Sequence, residues 1–201
     1  FGANFFFKPT DNQKIELNFS SLHEYRYGGE MIHGAPHFAM QAEERVHDIL
    51  MGNIDYNINF LSGKYSLLAY LAAQKTDREH YTGVRPDLGS DDDIAHLSDP
   101  PYGHSLNTTT QFGFQFNYKY NEWIGQNVFT VGSDIISDYV YDEIPAYNYL
   151  VDQEVFTLGF LLQSDWSLNE SFNILSGVRV DQHSLLTNFV ISPRCSFLYN
   201  I

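Results

Sequence analysis

Gln111-Phe112-Gly113-Phe114-Gln115-Phe116-Asn117-Tyr118-Lys119-Tyr120 places an aromatic ring at every second residue and a small or polar residue between each pair. A period of two belongs to an extended strand, so the rings share one face and Gln111, Gly113, Gln115, Asn117 and Lys119 share the other. In a half-buried strand of a soluble domain the aromatic face turns toward a core. In a strand of an outer-membrane barrel it turns toward lipid, and the polar face lines the lumen. The first orientation gives a soluble domain and the second a passage through a membrane.

The same alternation recurs. Residues 14–21 set Ile15, Leu17 and Phe19 against Glu16, Asn18 and Ser20, and residues 53–60 set Ile54, Tyr56, Ile58 and Phe60 against Asn53, Asp55, Asn57 and Asn59. Residues 171–181 put Phe172, Ile174, Val178 and Val180 opposite Asn173, Gly177, Arg179 and Asp181. Weaker versions occupy 1–7, 64–74, 127–135, 154–165 and 188–199, which makes about nine strands. Helical periodicity is hard to find anywhere, so the chain reads as all-β and antiparallel.

The connections alternate in length. Residues 9–12, 61–63, 121–125 and 168–170 are short; 27–46, 81–107 and 141–153 are long, and 183–188 is modest. Outer-membrane barrels combine short periplasmic turns with longer extracellular loops, whereas a soluble sandwich has no reason to sort its loops. Tyr118, Tyr120 and Trp123 near one short turn, and Trp166 near another, suit the aromatic girdle at the headgroup level. An aromatic cluster capping a soluble core is the alternative.

Eleven basic residues against 25 acidic ones give a net charge of −14, which argues against nucleic acid as a partner. No run of about 18 apolar residues exists, so a transmembrane helix is excluded; a barrel strand needs only about 9–11 alternating residues. The lone Cys195 makes no internal disulfide and reads as structural. The chain opens at Phe1 without a signal segment and stops at Ile201 after Tyr199-Asn200, so an interior fragment is expected, with residues 1–201 all belonging to a barrel domain. An odd strand count fits that expectation, because single-chain bacterial barrels use even numbers. Such a piece leaves two unpaired edges and should not be stable alone in water.

Several side chains are candidates for chemistry. His33 and His37 lie four apart, with His47 not far beyond, but Gly34 and Pro36 disfavour the helix that would let them share a metal, and no metal site is expected. Ligand contact and plain solvation both fit them. Asp87, Asp91, Asp92, Asp93 and Asp99 make one loop acidic without an EF-hand order, and the expectation is a solvated loop. Tyr25, Tyr27, Tyr147 and Tyr149 crowd the far ends of their strands, where a ring with a hydroxyl suits either an amphipathic ligand or the outer headgroup belt. Asp134, Arg179, Asp181 and Arg194 fall on the lumen side, where an ion pair or a contact to material inside the barrel is expected. Pro193 cannot donate to a ladder, so a bulge or irregular pairing is expected there, with Cys195 facing lipid. No grouping specifies nucleophilic catalysis or phosphate binding, so no enzymatic activity and no cofactor is expected.

The last third resembles the mid-barrel of TonB-dependent outer-membrane receptors. Leu158-Gly159-Phe160-Leu161-Leu162-Gln163-Ser164-Asp165-Trp166 is similar to a family strand that ends in an acidic-Trp pair. Ser176-Gly177-Val178-Arg179-Val180-Asp181-Gln182-His183 resembles its Gly-x-Arg-x-Asp strand, and Ile191-Ser192-Pro193-Arg194 its Ser-Pro-Arg strand. Tyr27-Gly28-Gly29-Glu30, Pro36-His37 and His47-Asp48-Ile49 resemble a loop of receptors of Bacteroidetes type. The resemblance implies a 22-stranded transmembrane β-barrel in the bacterial outer membrane. Its partners would be lipid, lipopolysaccharide, the protein's own plug domain and TonB, and its cargo a ferric siderophore, corrinoid or similar chelate. It also implies that Tyr27, His33, His37, Tyr147 and Tyr149 meet ligand while the lumen residues hold the plug. A passive porin-like channel and a soluble β-sandwich that binds glycan are the competing readings.

Overall fold

The computed structural model describes residues 1–121 and 124–200. Nine strands form one sheet in chain order: β1 (Gly2–Phe7), β2 (Gln13–Gly29), β3 (Gln41–Phe60), β4 (Tyr65–Val84), β5 (Tyr102–Tyr120), β6 (Gln126–Ile144), β7 (Tyr149–Ser167), β8 (Phe172–His183) and β9 (Val190–Tyr199). Every neighbouring pair is antiparallel. This is the expected all-β meander.

Register sorts the side chains. Phe112 pairs with Leu71 and Ile135, Phe114 with Ala69 and Ser133, and Phe116 with Leu67 and Val131, so apolar residues of adjacent strands share one face. Gly113 pairs with Tyr70 and Asp134 on the opposite face. Strands two apart lie about 9–10 Å from one another, a gap that a long guanidinium side chain crosses. Arg179 of β8 reaches Asp134 of β6 at 2.9 Å, and Arg78 of β4 approaches Asp142 of β6 at 3.9 Å. Along β5 the polar face, with Gly113, Gln115 and Asn117, is more enclosed than the face of Phe112 and Phe114, which marks it as the inner one.

The outer face stays open: Phe112 is 51% exposed and Phe114 40%, and none of the described residues forms a second layer over them. Outward apolar positions run from Phe156 to Trp166 on β7 and from Leu50 to Phe60 on β3. Ten residue steps of about 3.4 Å, tilted by about 40°, project to roughly 26 Å. That matches the apolar band of an outer-membrane barrel, about 25 Å tall. At its lower end, Tyr118 stacks on Tyr65 at 5.0 Å, and the Trp166 indole donates to the Ile124 carbonyl at 2.7 Å. Trp123 lies outside the described residues.

The strands run farther than their alternation indicated. Beyond Ala73, β4 continues through Lys75, Asp77 and Glu79 on its outer face and Thr76, Arg78 and His80 on its inner face. Polar residues on both faces carry no period to read, yet the backbone ladder persists. Consequently the β2–β3 connection shrinks to 30–40 and the β4–β5 connection to 85–101. The expected long β6–β7 loop is overturned: β6 and β7 pair as far as Ile144 and Tyr149, leaving 145–148. The β4–β5 connection also holds the helix α1 (Asp91–Ser98), which the sequence reading missed. Pairing of β8 with β9 runs unbroken through Val178–Pro193, so the bulge expected at Pro193 is absent. On an edge strand, a proline is tolerated without a slip.

Candidate functional site on the inner wall and the outer cap

The inner wall carries two charged groups, one at the level of the apolar band and one above it. In the lower group Arg179 binds Asp134 (Nη1–Oδ1 2.9 Å) and Asp181 (Nη2–Oδ1 2.8 Å). The guanidinium crosses β7 at Gly159, where any Cβ would collide with it. Three residues expected on the lumen side are thus brought together as an ion-paired staple across three strands. Gly159 is the member that the sequence reading did not single out. Arg194 shares this face opposite Gly177, exposed on β9, and Cys195 faces outward.

Gly113 has a similar role beside it. A Cβ there would sit 2.6 Å from the Tyr70 ring, so the small residue between two phenylalanines is the seat of an inward tyrosine. Tyr70 accepts from Gln111 Nε2 at 3.2 Å. It borders a concavity of about 720 Å³ whose lining mixes small and apolar residues with amides and hydroxyls, among them Asn4, Asn18, Asn53, Gln74 and Thr109.

The upper group lies on β2 to β6. Arg26, Arg45 and His80 are successive register partners, and one step below them come Glu24, His47, Arg78, Ser105 and Asp142. Arg26 holds Glu24 at 2.8 Å and Arg45 holds Glu43 at 2.6 Å. Arg78 Nη2 donates to Ser105 Oγ at 2.7 Å, and Ser105 in turn donates to Asp142. His47 Nε2, Arg78 Nε and His80 Nδ1 are buried with no hydrogen-bond partner among the described residues.

On the outside, connection 30–40 and helix α1 fold down over the tips of β3, β4 and β5. They cover Tyr81, which is completely buried together with Ala39 and Ala42 and packs against Tyr27, Ile32 and Tyr102. His37 Nδ1 lies 2.9 Å from Tyr102 Oη, and His96 Nε2 lies 3.3 Å from Tyr81 Oη and 3.2 Å from the His37 carbonyl. Burial, with His96 and Arg85 nearby, holds His37 below the usual histidine range. Ser90 caps α1 by accepting from the Asp93 N–H at 3.1 Å. Asp93 then receives Arg85 Nε at 2.6 Å, Arg85 Nη2 at 3.1 Å and the Gly89 N–H at 2.9 Å. The Arg85 hydrogen bonds and the Gly89 N–H hold its carboxyl below the ordinary aspartate value. The acidic loop was expected to be solvated throughout; Asp93 is buried and anchors the cap.

The five residues expected to meet ligand do not converge. Tyr27 and His37 belong to the outer cap, where the Tyr27 hydroxyl donates to the Glu30 carbonyl at 2.7 Å. His33 is exposed in the connection, and His47 faces inward, so His33, His37 and His47 share no centre. Among the described residues, no group of three acidic, histidine or cysteine side chains is placed to hold a metal ion. Tyr147 sits in the β6–β7 turn beside Gly83 and Val84 of β4. Tyr149 alone faces inward, its hydroxyl donating to Asp142 at 3.3 Å.

No known family matches the sequence, and no curated protein resembles it at a significant level. Among solved structures, the fold is similar to the crystal structure of the outer membrane transporter YddB from Escherichia coli, with a TM-score of 0.70 and 11% identity. The similarity covers 96% of this chain and 28% of the transporter, so the chain spans less than a third of that protein's length. The fold is that of a contiguous stretch of antiparallel β-barrel wall, similar to that of this transporter.

Proposed function

We propose that this chain is part of the wall and mouth of an outer-membrane transport barrel of the TonB-dependent receptor type, importing a ferric siderophore, corrinoid or similar chelate. The observation that carries the reading is the band of outward apolar side chains, roughly 26 Å tall, backed by a predominantly polar inner face. A soluble sandwich would cover that band with a second sheet. The strand motifs shared with such receptors and the likeness to an outer-membrane transporter support the same assignment.

In this reading the outer band meets lipid, and the carboxylates above it stand among lipopolysaccharide headgroups. The Arg179 staple stiffens the wall against a plug whose movement is driven through TonB. The lumen conducts a solute without chemical change. Membrane fractionation with an antibody to the cap should place the full-length protein in the outer membrane, and its deletion should abolish uptake of a scarce chelate that a protonophore also blocks. Recovery in the soluble fraction, or uptake that persists without the proton gradient, would defeat the proposal.

A further inference from the structure

We infer that the upper inner wall is a binding site for a solute bearing at least two oxyanion groups, carboxylate or phosphate, with Arg26, Arg45 and Arg78 as its recognition forks. This rests on the transport reading above and names the class of solute for it. Every arginine on a strand faces inward: Arg26, Arg45, Arg78, Arg179 and Arg194. The outer face and connections hold most of the chain's excess of acid, whereas on this inner wall arginines alternate with carboxylates and the charges nearly balance.

Arg26 and Arg45 are directly opposed in register, and His80 follows Arg45 on the next strand. Like charges placed opposite one another in a sheet destabilise it, and a bound anion between them removes that cost. Each arginine has a carboxylate beside it, but Arg78 meets its own, Asp142, only at 3.9 Å and through Ser105. Glu24 and Glu43 are same-strand neighbours of Arg26 and Arg45, and the Arg26 and Arg45 side chains are 68% and 42% exposed. Ion pairs of that kind are weak and exchange readily. Three further polar atoms point to a missing partner: Arg78 Nε, His47 Nε2 and His80 Nδ1 are buried without one among the described residues.

Guanidinium forks match carboxylate and phosphate bidentately, which a lysine would not do. Adjacent strands are about 5 Å apart and the row spans three, a width that side chains as long as arginine can close onto neighbouring anionic groups of one solute. The site lies above the apolar band, where a solute from outside arrives first.

The test is calorimetric titration of the full-length protein in detergent, at low ionic strength and pH 7.5. Citrate, inorganic pyrophosphate and acetate serve as probes. Citrate or pyrophosphate should bind and acetate should not; which of the two is tighter distinguishes a carboxylate solute from a phosphate one. Arg26→Gln and Arg45→Gln should each weaken binding about tenfold, Arg45→Lys should restore part of it, and added salt should weaken it further. Heat-modifiable migration confirms that each variant still forms a barrel. Absence of binding by both polyanions, or binding unchanged in the Arg26→Gln/Arg45→Gln double variant, overturns the inference. Because the titration requires neither uptake nor an energised membrane, such a failure in a correctly located barrel leaves the transport reading standing.

Discussion

Replacing Phe114 by arginine sets a charge on the outer face near the middle of the apolar band. Phe114 lies on the register line that joins Ala69 and Ser133, and Phe160 continues that line on β7, midway between Phe156 and Trp166. A lipid-facing arginine at the bilayer midplane costs about 2–4 kcal/mol, falling toward zero at the interfaces. Gln115, the next residue, faces the lumen and donates to Asn117 Oδ1 at 3.0 Å. Gln115→Arg forfeits one side-chain hydrogen bond in a polar environment, about 1 kcal/mol. The neighbouring substitutions should therefore differ by roughly 1–3 kcal/mol, and the larger loss should belong to position 114. Reversible urea unfolding of the full-length protein in lipid vesicles, followed by tryptophan fluorescence, measures both. If Phe114→Arg proves neutral while Gln115→Arg prevents folding, the assigned facing is inverted and the membrane reading fails.

Two further outcomes follow from the cap. Tyr81→Ala empties its largest fully buried side chain, a loss on the scale of about 3–5 kcal/mol for a buried aromatic; proteolysis of 30–40 and 85–101 should accelerate while barrel migration stays unchanged, and unaltered protection would show that Tyr81 does not hold the cap. The lowered His37 pKa means that the docked cap binds fewer protons than the released one. Docking should be fully present above the unperturbed histidine value, about 6.5, and should weaken as pH falls through the lower docked value. Hydrogen exchange of α1 at pH 7.5 and pH 5 reads this, and equal protection at both would remove His37 from the cap's stability.

Where apolar and polar residues alternate, the sequence was sufficient. The rings of 112–120 gave the outer face, and parity then carried Asp134, Arg179 and Asp181 to the inner one. The same parity was available for the tyrosines: Tyr27 shares its face with Leu17 and Phe19, and Tyr149 shares its face with Gly159. Reading them as one extracellular cluster overlooked that they lie on opposite sides of the wall. Helix α1 also had a local signal, Ser90 followed by three acids in the first turn, which favours a helix N-terminus. Other features had none. The upper reaches of β4 are polar on both faces, and the burial of Asp93, unlike Asp91 and Asp92, depends on Arg85 eight residues earlier. Which loops fold back over Tyr81 is decided by long-range packing that no local pattern encodes.

The ladder that continues past the apolar band has a mechanical meaning. From Ala73 to Val84, β4 stays paired on both sides nearly to its tip, with an outer face of Lys75, Asp77 and Glu79 that lipid would reject. Eleven such steps, tilted as a barrel strand is, amount to a palisade about 28 Å high. In the proposed transport role a solute would descend along this paired ladder, whose guanidinium groups are already in place, so that recognising it would cost little ordering entropy. In that role the selective surface would be carved from sheet, with the connections 30–40 and 85–101 tied back outside like shutters.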